Sequence, residues 1–310
     1  MKKVFIDGSA GTTGLRILQR LSERKDISLI RLPEELRKDS EARKKALNEC
    51  DIAFLCLPDK AAIEAVNMIE NENVIVLDTS TAHRTNPAWA YGFPELSQKH
   101  LEKVASSKRI AVPGCHASGF IALTYPLTEK GIISEDTLLT CHSITGYSGG
   151  GKSMIADYEN EEREVLFDAP RQYALSQTHK HLPEMAKITG LKNAPLFCPI
   201  VSDFYSGMVV TVPIFKSQLN DGFSVEDIKN TYKEKYTTDI VSYKESISEN
   251  GLISANALSL KDSMQITVEG NDERILLIAR YDNLGKGASG AALECMNIVM
   301  GESPSLMLDI

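Results

Sequence analysis

The 310-residue sequence has no CxxC pair, no histidine at zinc-finger spacing from a cysteine, no apolar run of membrane-spanning length, no internal repeat and no low-complexity linker. Its six cysteines, Cys50, Cys56, Cys115, Cys141, Cys198 and Cys295, are scattered, so neither a disulfide framework nor a metal site is written into their spacing. Reduced thiols in a cytoplasmic compartment are the expectation. Met1-Lys2-Lys3 leads straight into Val4-Phe5-Ile6 without the apolar stretch of a signal peptide, which with the missing span predicts a soluble protein and no membrane partner. A basic surplus is also missing. The formal net charge of -8 argues against nucleic acid as a partner, while leaving room for a local basic pocket that takes a phosphorylated metabolite. The length suffices for two domains with ample core, so no disulfide or metal staple is needed.

The sequence does contain alternation. Val4–Asp7 reads as a strand, Gly8-Ser9-Ala10-Gly11-Thr12-Thr13-Gly14 as a glycine loop, and Leu15–Ser22 as a helix. That order, with glycines at every third position, is a variant of the dinucleotide fingerprint, in which loop amides approach a pyrophosphate at the helix N-terminus. Strands at Ile27–Ile30, Asp51–Leu57 and Val74–Leu77 and a helix at Ala61–Ile69 continue the pattern, predicting a parallel sheet covered on both faces. Ligands of such sheets gather beyond the carboxyl ends of the strands, where Gly8, Pro58, Asp78 and Cys115 all fall. Arg31 stands where an NAD-preferring fold usually ends its second strand with a carboxylate, which favours a 2′-phosphate and hence NADP. Arg37 and Lys38 read either as help for that phosphate or as part of a charged, solvated helix face around Arg37–Lys45.

One thiol occupies a special place. In Ile110–Gly119 a short apolar strand ends at Pro113, Gly114 permits a tight turn, and Ser118-Gly119 opens the apolar run Phe120–Leu123. Cys115 therefore faces a helix N-terminus, whose unpaired amides stabilise a thiolate and can later hold an oxyanion. Upstream, Arg84 follows the fourth strand; it is either a clamp for a phosphate or carboxylate or a surface arginine paired with an acid.

Beyond this helix the strands lengthen and alternate, as in Met208–Phe215, Ile266–Glu269 and Ile275–Tyr281, predicting a mixed or antiparallel sheet in a second domain. Asn220–Tyr236 and Gly287–Met300 read as helices, the last returning to the first domain. Gly146–Ser153 satisfies the GxxxxGK[ST] pattern between a strand-like Leu138–Ile144 and a helical Met154–Phe167, which raises a nucleotide-hydrolysing enzyme as a rival. The best strand ending in a magnesium-holding aspartate, Val74–Asp78, comes before the loop, and Asp282 follows a strand rich in other motifs, so the loop is better read as a substrate or nicotinamide contact with Ser143 and Ser148 as donors. Finally, Thr178–Glu184 sets His179 and His181 two residues apart, both on one side if the segment is extended. One of them suits acid/base work beside Cys115 and the other an anion, with Glu184 orienting a ring nitrogen.

Taken together these segments resemble the N-acetyl-gamma-glutamyl-phosphate reductases in their shorter form, a family grouped with aspartate-semialdehyde dehydrogenases. Val112-Pro113-Gly114-Cys115 resembles the nucleophile motif, Tyr91-Gly92-Phe93-Pro94-Glu95 the loop before it, and His179–Glu184 the catalytic histidine segment. Tyr281–Gly290, with Asn283 as a cofactor contact, resembles the segment that re-enters the cofactor domain. The resemblance implies an α/β protein with a Rossmann-type dinucleotide-binding domain (1–116, completed by 287–310) and an α+β catalytic and dimerisation domain (117–286). It also implies NADPH-dependent reduction of an acyl phosphate through a Cys115 thioester. His181 or His179 would be the acid/base, Arg84, Ser143 and Glu184 substrate ligands, and Gly8, Ser9, Gly11, Thr12, Thr13, Gly14 and Arg31 cofactor ligands. A homo-oligomer, dimer or tetramer, is expected. The alternative within this chemistry is an aspartate-semialdehyde dehydrogenase.

Overall fold

The computed structural model describes residues 1–310, which divide into two compact units. The first comprises Met1–Pro94, Gln98–Gly114 and Ala288–Leu308; the second comprises Glu95–Ser97, Cys115–Gly287 and Asp309–Ile310. The chain passes from one to the other at Gly114-Cys115, two residues earlier than the sequence suggests, because Cys115 and His116 already belong to the buried helix of the second unit.

In the first unit β1 (Lys2–Asp7), α1 (Thr12–Leu21), β2 (Ile27–Ile30), α2 (Ser40–Glu49), β3 (Ile52–Leu55), α3 (Asp59–Asn67) and β4 (Ile75–Asp78) alternate. The short β5 (Ala90–Tyr91), α4 (Gln98–Ser106) and β6 (Arg109–Ala111) follow. The six strands form one parallel sheet in the order β2-β1-β3-β4-β6-β5. Strands buried on both faces read as continuous apolar runs, as Ile52–Leu55 does. One face packs Ile6, Ile17, Phe54 and Met296 together, the other Phe5, Leu47, Leu55 and Trp89.

The second unit opens with α5 (Cys115–Glu129), followed by β7 (Thr140–Gly146), α6 (Gly151–Glu159), β8 (Arg171–Gln172), α7 (Leu182–Thr189), β9 (Leu196–Ser202) and β10 (Met208–Phe215). Then come α8 (Val225–Lys235), β11 (Val241–Tyr243), β12 (Met264–Gly270) and β13 (Arg274–Tyr281); α9 (Gly290–Met300) returns to the first unit. The sheet order is β11-β12-β13-β10-β7-β9-β8, mixed because β7–β9 and β11–β12 pair in parallel and the remaining neighbours antiparallel. Helix α5 is buried along nearly its whole length, which explains its apolar run. Pro126 inside it has no N–H for the carbonyl of Ala122, and the hydroxyl of Tyr236 donates to that carbonyl instead, at 2.6 Å.

Two local expectations change. Helix α6 stops at Glu159 rather than reaching Phe167: the run Glu159–Glu164 is rich in like charges, and Arg163 folds back onto the carbonyl of Tyr158 and onto Asp203. Arg43 is not on a solvated face. It lies against the buried Asp7, donating from Nε and Nη2, although burial outweighs the arginine and pushes the Asp7 carboxyl up.

Candidate active site

Cys115 is the first residue of α5 and is half-buried. The segment after β13 closes against it, since a Cβ at Gly287 would lie 3.1 Å from the Cβ of Cys115, closer than side chains normally approach. Cys115 thus stands at the N-terminus of a 15-residue helix, where partial positive charge favours a thiolate and then an oxyanion.

Three imidazoles cluster in the same unit, one of them on the residue after Cys115. His179 and His181 lie with ring centroids 4.7 Å apart, and each is 5.7 Å from the ring of His116. The pair does not come from an extended segment: His181 is the N-cap of α7 in a helical conformation, and a turn rather than strand alternation brings the rings together. Nδ1 of His179 accepts the backbone N–H of His181 at 3.2 Å, which leaves the proton of a neutral His179 ring on Nε2. Sequence reasoning missed His116 and Tyr173. Nδ1 of His116 is 2.7 Å from Ser143 Oγ and its Nε2 2.6 Å from Tyr173 Oη, so the buried Ser143 belongs to a hydroxyl–imidazole–hydroxyl chain. Only the placement of His116 directly after Cys115 signals it in the sequence; Tyr173 leaves no pattern there. Glu184 is buried in the first turn of α7, close enough for its charge to act on the Tyr281 hydroxyl. No group of three or more His, Cys, Asp or Glu side chains is placed to hold a metal ion.

Burial, then the charge of His179, pushes His116 down to about 3; burial, then Lys180, pushes His179 down to about 4. Burial, then a Cys115 thiolate, raises Tyr173, which stays protonated. Both rings are therefore neutral near pH 7. The unfolded chain takes up these protons first, so the stability they confer is complete above pH 6.5 and is lost as pH falls toward the folded values. His116 alone contributes a slope of about 1.4 kcal/mol per pH unit in that window. His116→Gln, whose amide still serves both hydroxyls, is expected to reduce the pH dependence by that slope; urea unfolding at pH 7, 6 and 5 measures it, and an unchanged slope refutes the assignment.

The first unit fits a dinucleotide. Gly8 has φ +88°, and a Cβ there would sit 2.2 Å from the carbonyl oxygen of Cys56; one at Gly14 would sit 2.4 Å from that of Gly8. Gly11 is the N-cap of α1 with no side-chain cap, so the amides of Thr12 and Thr13 head a helix N-terminus beside Ser9. Arg31 follows β2, exposed, with Nη2 on Ser22 Oγ at 3.0 Å. Arg84 is buried: its Nε donates to the carbonyl of Val112 and its Nη2 to that of Thr79, both at 2.9 Å, so it ties the loop after β4 to the stretch leading to the thiol. Asn283, buried, accepts from the Gly207 amide at 2.9 Å and donates to Ser148 Oγ at 3.0 Å, cross-bracing the glycine loop after β7. The first part of that loop is not available as a phosphate cradle. The amides of Gly146, Tyr147 and Ser148 donate to the carbonyls of Gly207, Phe204 and Tyr205, so they are already committed within the protein.

Comparison with known proteins agrees with this plan. Residues 3–104 match the model of a semialdehyde dehydrogenase NAD binding domain, and residues 115–283 that of a semialdehyde dehydrogenase dimerisation domain. Fold and models together define an oxidoreductase of the semialdehyde dehydrogenase class that uses a nicotinamide dinucleotide. Solved structures share the fold: aspartate semialdehyde dehydrogenase II of Vibrio cholerae superposes with a TM-score of 0.72 at 14% identity, covering 97% of this chain and 98% of that one. The corresponding enzyme of Candida albicans gives 0.64 at 17%, covering 97% and 98%. Much nearer in sequence are the N-acetyl-gamma-glutamyl-phosphate reductases of Trichormus variabilis, 42% identical over 96% of this chain and 97% of that protein, and of Rhizobium johnstonii, 43% over 96% and 98%. The chain belongs to the N-acetyl-gamma-glutamyl-phosphate reductase family. No helix in it is long and apolar enough to cross a membrane.

Proposed function

We propose that the protein reduces N-acetyl-L-glutamyl 5-phosphate to N-acetyl-L-glutamate 5-semialdehyde with release of phosphate, a step of arginine biosynthesis, using NADPH. The observation that carries this reading is a half-buried thiol at the head of a buried helix in the same unit as three clustered imidazoles, two of them held neutral, in a chain with full-length relatives of that name. The Cys115 thiolate attacks the acyl carbon, the C–O bond to phosphate breaks, and phosphate leaves with that electron pair, giving a thioester. Bound NADPH supplies the hydride for the thioester carbon. First-turn amides of α5 hold the oxyanion that results. His181 or His179 donates a hydrogen bond from its ring N–H to this oxygen, sharing the proton until the oxyanion collapses and the C–S bond breaks, and the aldehyde leaves with the thiolate restored. In the opposite direction a neutral ring is the base for the thiohemiacetal hydroxyl, which the depressed His179 suits. Arg84 and Glu184 are proposed to contact substrate. Initial rates with N-acetylglutamate semialdehyde and aspartate semialdehyde, each with phosphate and NADP, test the reading, and a preference for aspartate semialdehyde overturns it.

NADP is proposed over NAD because no carboxylate ends β2. Residue 31 is an exposed arginine, and the next acid, Glu34, is paired with Arg37 in a short turn. A charge-assisted contact contributes about 1.5–3 kcal/mol, so Arg31→Ala is expected to lower NADP affinity on the order of ten- to a hundredfold with NAD binding little changed. Competitive titration of both cofactors reads this out; an equal loss for both shows that Arg31 does not reach the 2′-phosphate.

We further propose a homo-oligomer that uses the open face of the seven-stranded sheet. Ile144 and Ile200 are register partners there, as are Pro213 and Leu276, and Leu196 and Phe215 extend the same face, leaving exposed apolar side chains for a second copy to cover.

A further inference from the structure

In a regular helix the amide of Gly119 would donate to the carbonyl of Cys115, four residues earlier. Here the hydroxyl of Tyr281, from the end of β13, joins both groups: it accepts from Gly119 N at 3.0 Å and donates to Cys115 O at 2.5 Å. The first turn of the helix that carries the thiol is therefore tied to the end of β13 through one oxygen atom. A second observation shows that the site is shaped for this contact. A Cβ at residue 119 would lie 2.7 Å from Tyr281 Oη and 2.7 Å from Val210 Cγ2, so any side chain there would expel the hydroxyl. A third is that the chain leaving Tyr281 returns within six residues to place Gly287 against the Cβ of Cys115.

We propose that Tyr281 is a positioning residue for the nucleophile, its hydroxyl setting the backbone of Cys115 from the β-sheet. This rests on Cys115 as the attacking thiol. Tyr281 is fully buried and its backbone is held on both sides, in register with Met208 of β10 and Met264 of β12. Burial first, and then the charge of a Cys115 thiolate, keep the phenol protonated, so it remains a donor to the carbonyl throughout the cycle. Without the hydroxyl, the first turn of α5 loses its tie to the end of β13. The peptide unit that carries the thiol is then free to shift. Covalent catalysis is sensitive to such movement, because a shift of about 1 Å at the reacting atom costs on the order of a hundredfold.

Tyr281→Phe in the full-length enzyme removes one oxygen and keeps the ring. The expected result is a kcat lower by about ten- to a hundredfold, with KM for aldehyde and for NADP within about twofold of wild type. The pH midpoint of iodoacetamide alkylation at Cys115 should be unchanged, as should its stoichiometry. An undiminished kcat overturns the proposal. So does a loss that a shifted alkylation midpoint accounts for, since the hydroxyl would then act on ionisation of the thiol, or a loss that tracks a lowered thermal midpoint and incomplete labelling, since its role would then be structural. If alkylating Cys115 in the wild-type enzyme leaves turnover intact, the nucleophile itself is wrongly assigned, which an active Tyr281→Phe variant does not imply.

Discussion

Cys115→Ser is expected to lower phosphate-dependent aldehyde oxidation by at least about a thousandfold, to the background of the assay. A cysteine is ionised to a few per cent even unperturbed near pH 7, and the helix N-terminus increases that fraction, whereas a serine hydroxyl supplies almost no alkoxide. The later steps suffer too, because an oxygen ester accepts hydride less readily than a thioester and an alkoxide is a worse leaving group than a thiolate. Folding is not the cause of the loss, since serine matches cysteine in shape at a half-buried position. Dinucleotide binding should persist, because the glycine loop Gly8–Gly14 belongs to the other unit. Initial rates with N-acetylglutamate semialdehyde, phosphate and NADP measure the effect, and mass spectrometry of quenched wild-type enzyme should show an acyl adduct on the Cys115 peptide that the variant lacks. Undiminished turnover in the serine variant ends the covalent mechanism.

The next largest effect is expected at the histidine pair. His181→Asn and His179→Asn should each depress kcat on the order of a hundredfold where the ring transfers a proton. Asparagine keeps hydrogen-bonding capacity without a titratable nitrogen, so hydrogen bonds alone cannot account for such a loss. With the rings 4.7 Å apart and one main-chain amide bonded to the neighbouring ring, the two changes should not add, and the double variant should lose less than the product of the single losses. Whichever substitution raises KM and spares kcat marks the ring that binds substrate rather than moving its proton. Two substitutions that leave both parameters unchanged exclude the pair from the reaction.

Much of this site can be read along the chain because its causes are local. Gly8 and Gly14 lie where a Cβ would collide with backbone, and such positions show as spaced glycines between a strand and a helix. The apolar run after Cys115 predicts a buried helix, and one exists. Local pattern misleads where distant groups intervene. The GxxxxGK[ST] match looks like a phosphate loop until residues 204–207 claim its first amides, and Arg43 looks solvated until Asp7 claims its guanidinium. The histidine pair is adjacent in either geometry, but the N-terminus of α7 orients it rather than strand alternation.

What the sequence determined by itself is the alternation of β1, α1, β2, β3, α3 and β4, the glycine loop and the thiol at a helix N-terminus, all of which follow from periodicities and steric demands spanning a few residues. What only the tertiary structure decided is which side chains surround that thiol. His116 meets Ser143 and Tyr173 across separations of 27 and 57 residues, and Tyr281 reaches Cys115 across 166. No period links such positions. They meet because β7 and β13 both pair with β10 in one register, and burying the apolar face of α5 against that sheet brings the polar groups of its first turn to their partners.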